Sequence, residues 1–154
     1  MQLFNHILVA VDFSDFSQEA VRVTSGLARA FGGTVYALYV CDTPKGVEPA
    51  LLTRHSRAIR SLLDLQKEMC KNAETQLNEW IGNFDWGEAQ VQVAVAEGAP
   101  HKVIIDRSRE IEADLVVIGS HGRSGFARRI LGSTAERVVR KSRCPVLAVT
   151  LPRE

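Results

Sequence analysis

The chain carries almost no net charge: 19 Lys and Arg against 18 Asp and Glu leave a formal +1 over 154 residues. Nucleic-acid and anionic-membrane partners usually show as a strongly basic balance, so neither is expected. Aromatic residues are scarce, at 6%, and no stacking platform for bases appears. No run reaches the roughly 18 apolar residues that suggest a membrane helix. The opening MQLFNHILVAVDF lacks a basic stretch followed by a long apolar one, which points to a cytoplasmic protein. The three cysteines, Cys41, Cys70 and Cys144, form no CxxC pair and lie in apolar or helical stretches, so the expectation is reduced, partly buried thiols without a disulfide or a zinc site. His6, His55, His101 and His121 show no metal-ligand spacing. The G-x4-G-K-[ST] loop of ordinary phosphate-loop hydrolases is also missing.

What remains is a chain 45% hydrophobic and of a length that suits one domain, residues 1–154. Five short runs rich in Val and Ile stand out: HILVAV (6–11), TVYALYV (34–40), VQVAV (91–95), DLVVIG (114–119) and PVLAVT (145–150). Several are apolar at nearly every position, as expected of parallel strands covered on both faces. Four helical stretches separate them. The first, near 15–31, has Asp15 and Gln18 in capping-box spacing and stops at Gly32 and Gly33. The second, about 55–81, carries Ile59, Leu62, Leu63, Met69, Ala73, Leu77 and Ile81 as a core stripe. The third starts near Pro100 with Val103, Ile104 and Ile111 inward, and the fourth near Ser133 with Val138 and Val139 inward. Strict alternation gives an α/β fold, an open five-stranded parallel sheet with helices on both faces. Residues 41–50, CDTPKGVEPA, break the pattern and read either as a surface loop or as a flap over a site.

In such sheets ligands bind beyond the carboxyl ends of the strands, where the strand order reverses. The fourth run ends in GSHGRSGFARRILGST, with Gly119, Gly122, Gly125 and Gly132 ahead of Ser133 and Thr134. Glycines that adopt positive φ and a helix start with unbonded amides make a phosphate site. Ser133 with Glu136 also fits a capping box that needs no ligand. Asp12, after the first run, suits a ribose hydroxyl or a divalent ion, or is simply a turn residue. Seven basic residues from Arg123 to Arg143 face one acid, Glu136. Arg123 is a candidate for neutralising phosphate, whereas Arg137, Arg140 and Lys141 have the spacing of a solvated helix face.

The G-x2-G-x9-G-[ST] pattern, met by Gly119, Gly122, Gly132 and Ser133, resembles the ATP-binding signature of the universal stress protein family. ILVAVDFSDFS, EGAP, DLVVIGSHGRSG and SRCPVLAV extend the resemblance over essentially the whole chain. It implies strand order 3-2-1-4-5, a Rossmann-like sheet of the adenine nucleotide alpha hydrolase type, and an adenine nucleotide (ATP, or AMP or ADP) with Mg2+. By position it assigns Asp12 to the ribose or a metal, the Val40 backbone to adenine, Val11 to the base pocket, and Gly119, Gly122, Gly132, Ser133 and Thr134 to the phosphates. Ala10 departs from the proline that many relatives have. The resemblance also implies a homodimer through the last strand, Val146 to Leu151, and an unidentified regulatory partner.

Two functions follow as expectations. One is a nucleotide-dependent stress-response module with at most slow ATP hydrolysis and no catalytic residues. The alternative is a genuine ATPase using a metal near Asp12, with His121 as the other nearby group. The adenylate-forming enzymes of related fold would carry an S-G-G-x-D-S loop after the first run, where this chain has DFSDFS.

Overall fold

Each apolar run becomes a strand. The computed structural model describes residues 3–42, 57–122 and 131–152. The elements follow as β1 (His6–Val11), α1 (Asp15–Phe31), β2 (Thr34–Asp42), α2 (Arg57–Gly82), β3 (Gln90–Gly98), α3 (Pro100–Glu110), β4 (Leu115–Gly119), α4 (Ser133–Lys141) and β5 (Val146–Val149). All neighbouring strands pair in parallel, in the order β3-β2-β1-β4-β5. The Rossmann-like sheet and its 3-2-1-4-5 order are as expected.

Period-two alternation divides β1 between two cores. Ile7, Val9 and Val11 pack with Ala20, Val21 and Ala28 of α1 and with Ala73, Leu77 and Ile81 of α2. Leu8 and Ala10 face the other way, toward Ile104 and Ile105 of α3 and Ala135 and Val138 of α4. Both β1 and β4 are buried along nearly their whole length. Asp114, expected in the fourth strand, lies just before it. Its carboxylate accepts from the amides of Asn5 (2.7 Å) and His6 (2.8 Å), setting the two central strands side by side.

Several local expectations need correction. The cap of α1 is Ser14, whose hydroxyl accepts from the Ser17 amide, so Asp15 is the first helical residue and not half of a capping box. The cap of α4 is Gly132, without a side-chain cap bond, and Glu136 pairs with Arg140 at 2.8 Å rather than reaching back. Met69 and Val139 are about half exposed, at 49% and 47%. They lie at the margins of their helical stripes, where periodicity alone does not separate inside from outside. Ile59 and Leu62 lie outside the described side chains, and residues 43–50 of the irregular segment lie outside the described residues.

The cysteines differ most. Cys41 and Cys70 form a disulfide across 29 residues of sequence, with Cα atoms 6.0 Å apart, and Cys144 is free. Spacing gave no hint because the pairing is tertiary. Cys41 continues the face of Val35, Ala37 and Tyr39 on β2, while Cys70 shares the i, i+3, i+7 face of α2 with Ala73 and Leu77, and those two faces pack together. Among the described residues, no helix is long and apolar enough to cross a membrane.

Gly33, where β2 begins, has φ +86°, and a Cβ there would lie 2.6 Å from the Asn5 carbonyl oxygen. That oxygen accepts the Thr34 amide at 2.8 Å, so backbone cannot yield to a side chain. Gly33→Ala is therefore expected to cost about 1–3 kcal/mol of folding stability, read as a lower urea midpoint. An unchanged midpoint would show that this junction is not constrained.

Candidate functional site

The strand order reverses at β1 and β4. The chain leaves β1 into α1 on one face and leaves β4 toward α4 on the other, so a cleft opens at their carboxyl ends. A cavity of about 820 Å³ occupies it, within the size range of small-molecule sites. Its walls include Val11, Asp12, Val40, Gly119, Gly122, Gly132, Ser133 and Thr134. The structure thus brings the described candidate nucleotide-contact residues to one cavity. Arg123 lies outside the described residues.

Asp12 is held by the start of α1. Its Oδ1 accepts from the Ser14 amide at 3.0 Å and from the Ser14 hydroxyl, while its own amide donates to Ser17 Oγ at 3.3 Å. Phe13 takes a left-handed φ of 63°, unusual outside glycine. Its ring packs on Tyr39 (4.9 Å between centroids) and edge-on to Trp80 (5.1 Å). Asp12 therefore leaves β1 with a fixed direction, serving as a turn acceptor through Oδ1 while Oδ2 points at Gly122.

The glycines act through a missing Cβ rather than a positive φ. None of Gly119, Gly122 and Gly132 is among the positive-φ residues, which corrects the expectation for these three, while Gly125 lies outside the described residues. A Cβ on Gly122 would sit 3.0 Å from Asp12 Oδ2. One on Gly132 would meet the Ser120 carbonyl oxygen at 3.0 Å and His121 Cα at 3.2 Å. The Gly132 amide donates to that same oxygen at 2.6 Å, tying the start of α4 to the end of β4. Gly119 serves packing as well as the cavity, since a Cβ there would lie 2.9 Å from the Phe16 backbone.

At α4 the first intrahelical bond runs from the Glu136 amide to the Gly132 carbonyl, 2.8 Å. Ser133, Thr134 and Ala135 precede it and line the cavity. Amides of a first turn have no acceptor within their own helix and carry the positive end of its dipole. Ser133 is exposed, and α4 has no side-chain cap bond. His121 Nδ1 and Ser120 Oγ are hydrogen-bonded at 3.0 Å, and the imidazole lies 5.1 Å from the Phe16 ring. Beside the cleft, burial pushes the His101 imidazole below its ordinary value, with Arg137 and Lys141 pushing the same way and Asp42 opposing.

With the cleft described, comparison with known proteins becomes specific. The model of the universal stress protein family matches residues 3–150. The chain belongs to that family. It is 32% identical over 152 residues to universal stress protein MJ0531 of Methanocaldococcus jannaschii, an alignment covering 99% of this chain and 85% of the relative. Among solved structures it resembles the universal stress protein UspA from Lactobacillus plantarum, with TM-score 0.76 and 29% identity over 94% of this chain and 97% of the other. Two further universal stress proteins share the fold and were solved in complex with nucleotides. One is bound to cAMP (TM-score 0.61, 24% identity, 95% and 96% coverage). The other, from Archaeoglobus fulgidus, is bound to dAMP (TM-score 0.55, 21% identity, 97% and 99% coverage).

For this family member, sequence reasoning missed part of the cavity wall. Cys41, Met69, Cys70, Ser17 and Ser120 all line it. The apolar spacing of Met69 reads as core, and Ser17 looks like an ordinary first-turn residue until its hydroxyl is seen donating to the Ser14 carbonyl at 3.0 Å. Among the described residues, no group of three or more His, Cys, Asp or Glu side chains is placed to hold a metal.

Proposed function

We propose that the cleft binds an adenine nucleotide, with ATP as the reference ligand, and that the protein is a nucleotide-dependent regulator of the stress-response type. The observation that carries this reading is the uncapped start of α4 opening into the cavity beside Asp12. A phosphate chain there would meet the Ser133, Thr134 and Ala135 amides and the hydroxyls of Ser133 and Thr134. Asp12 would take the ribose, Val40 would offer its backbone to adenine, and Val11 would wall the base. Relatives solved with cAMP and dAMP support the class of ligand.

On this reading Mg2+ accompanies the phosphates. Magnesium commonly uses one or two carboxylates together with phosphate oxygens, and Asp12 Oδ2 is aimed across the cleft at Gly122. Bound there, the ion would neutralise phosphate charge.

Chemistry beyond binding has little support. Asp12 Oδ1 is engaged by Ser14, and the His121 ring is held by Ser120 and Phe16. Neither arrangement reveals a base placed to activate water. Gly132→Val is expected to weaken ATP binding at least about tenfold, equivalent to about 1.4 kcal/mol. Calorimetric titration checks this, with circular dichroism verifying the fold. Unchanged affinity in a folded variant would remove the phosphate assignment. In the same preparations phosphate release is expected well below the ordinary enzyme range of ~1–10³ per second.

The last strand is read as the contact of a homodimer, and the regulatory role is taken to be cytoplasmic. β5 ends the sheet, pairing with β4 on one side, and Leu147 and Leu151 are exposed at 38% and 37%. An open apolar strand edge favours pairing with a second copy. Light scattering at micromolar concentration is expected to give twice the chain mass, and Leu147→Lys to shift it toward one. A single-chain mass for the unaltered protein would exclude this interface.

A further inference from the structure

We propose that the Cys41–Cys70 disulfide is a redox-active site in the wall of the nucleotide cleft, and that a small thiol, by reducing it, loosens the first half of α2 and lowers nucleotide affinity. The proposal rests on the nucleotide reading for its effect on affinity, and on the disulfide's position for its effect on the helix.

Position comes first. Both cysteines line the cavity, Cys41 one residue beyond Val40. Cys41 is 3% exposed, and β2 pairs with β3 through Cys41 and Asp42, beyond the last residue of β1. It is the fixed end of the bond. Cys70 is half-buried on α2. Among the described side chains of α2, the buried apolar ones are Ala73, Leu77 and Ile81, on the carboxyl side of Cys70. On the amino side none of the described side chains is fully buried, and Leu65 and Met69 are exposed at 56% and 49%. The disulfide thus ties β2 covalently to the end of the first half of α2, the half that carries Met69. Met69, next to Cys70, belongs both to that half-helix and to the cavity wall.

The chemistry is thiol–disulfide exchange. A thiolate entering through the cleft attacks Cys70 Sγ, the half-buried sulfur, forming a mixed disulfide and releasing Cys41 as the leaving thiolate, which takes up a proton. A second thiol then resolves the mixed disulfide. In total two thiols become one external disulfide, and two electrons and two protons pass to Cys41 and Cys70. The unbonded sulfurs move apart to van der Waals contact, and that displacement falls on α2 because Cys41 is anchored. In the oxidised protein the wall beside the base is organised before the ligand arrives, and in the reduced protein the ligand must order it. By linkage, the factor by which oxidation tightens nucleotide binding equals the factor by which bound nucleotide disfavours reduction.

The test compares air-oxidised protein with protein reduced by dithiothreitol. Thiol titration should find one reactive thiol, Cys144, before reduction and three after. ATP should bind the oxidised form about three- to tenfold more tightly, and saturating ATP should raise the dithiothreitol needed for half-reduction by the same factor. Amide hydrogen exchange over residues 57–69 should quicken on reduction while Ala73 to Ile81 stays protected. Cys70→Ser should match the reduced form under either condition, whereas Cys144→Ser should keep the full redox response. Equal ATP affinity in both states, with exchange at 57–69 unchanged, would overturn the proposal, as would three reactive thiols in the air-oxidised protein. If neither state binds ATP, the nucleotide reading fails, and the exchange measurement alone decides the disulfide's hold on the helix.

Discussion

The site depends on β1 and β4 lying side by side with both of their faces buried. Their register pairs Ile7 with Leu115 and Val9 with Val117, and the Asp114 carboxylate clamps the amides of Asn5 and His6 at the start. Two strands covered on both sides have no freedom to slip, because a shift of one residue would exchange their two cores. Everything that follows them is aimed by that pairing. The chain must leave β1 toward one layer of helices and β4 toward the other, and the gap between the departing segments is the cleft.

Into that gap the sequence places residues whose value lies in their smallness. Gly122 admits the Asp12 carboxylate, Gly132 lets the start of α4 touch the end of β4, and Gly119 lets α1 close against the sheet. At each, an added Cβ would lie about 3 Å from backbone or carboxylate, so a methyl group would have to displace its neighbour. The result brings a carboxylate and an uncapped helix start toward one volume. It also explains why α4 has no side-chain cap bond, since Gly132 occupies the cap position with extended backbone (φ −67°, ψ 156°).

Much of this was legible in the residues. Runs of Val and Ile marked all five strands, most plainly β1 and β4, which are buried on both faces, and α1, α3 and α4 began where expected, although Ser14 and Gly132, not Asp15 and Ser133, cap α1 and α4. Gly119, Gly122, Gly132 and Asp12 were identifiable as cleft residues because the topology opens a cleft at the ends of β1 and β4. What escaped was tertiary. The Cys41–Cys70 bond needed the period-two face of β2 and the 3.6-residue face of α2 to be superposed, and no spacing rule does that. Met69 and Val139 sit at stripe margins, where only packing decides exposure. The role of the glycines was mistaken in kind, because composition reveals a missing Cβ but not whether φ or close approach demands it.

The central claim is that phosphate sits at the start of α4 and the base beside β2. Titrating isotope-labelled protein with ATP and following backbone amide resonances tests it most directly. The account predicts the largest shifts at Gly122, Ser133, Thr134 and Ala135, with a second group around Val40. Shifts confined to the outer basic face of α4, at Arg137, Arg140 and Lys141, with none at Ser133 to Ala135, would contradict it.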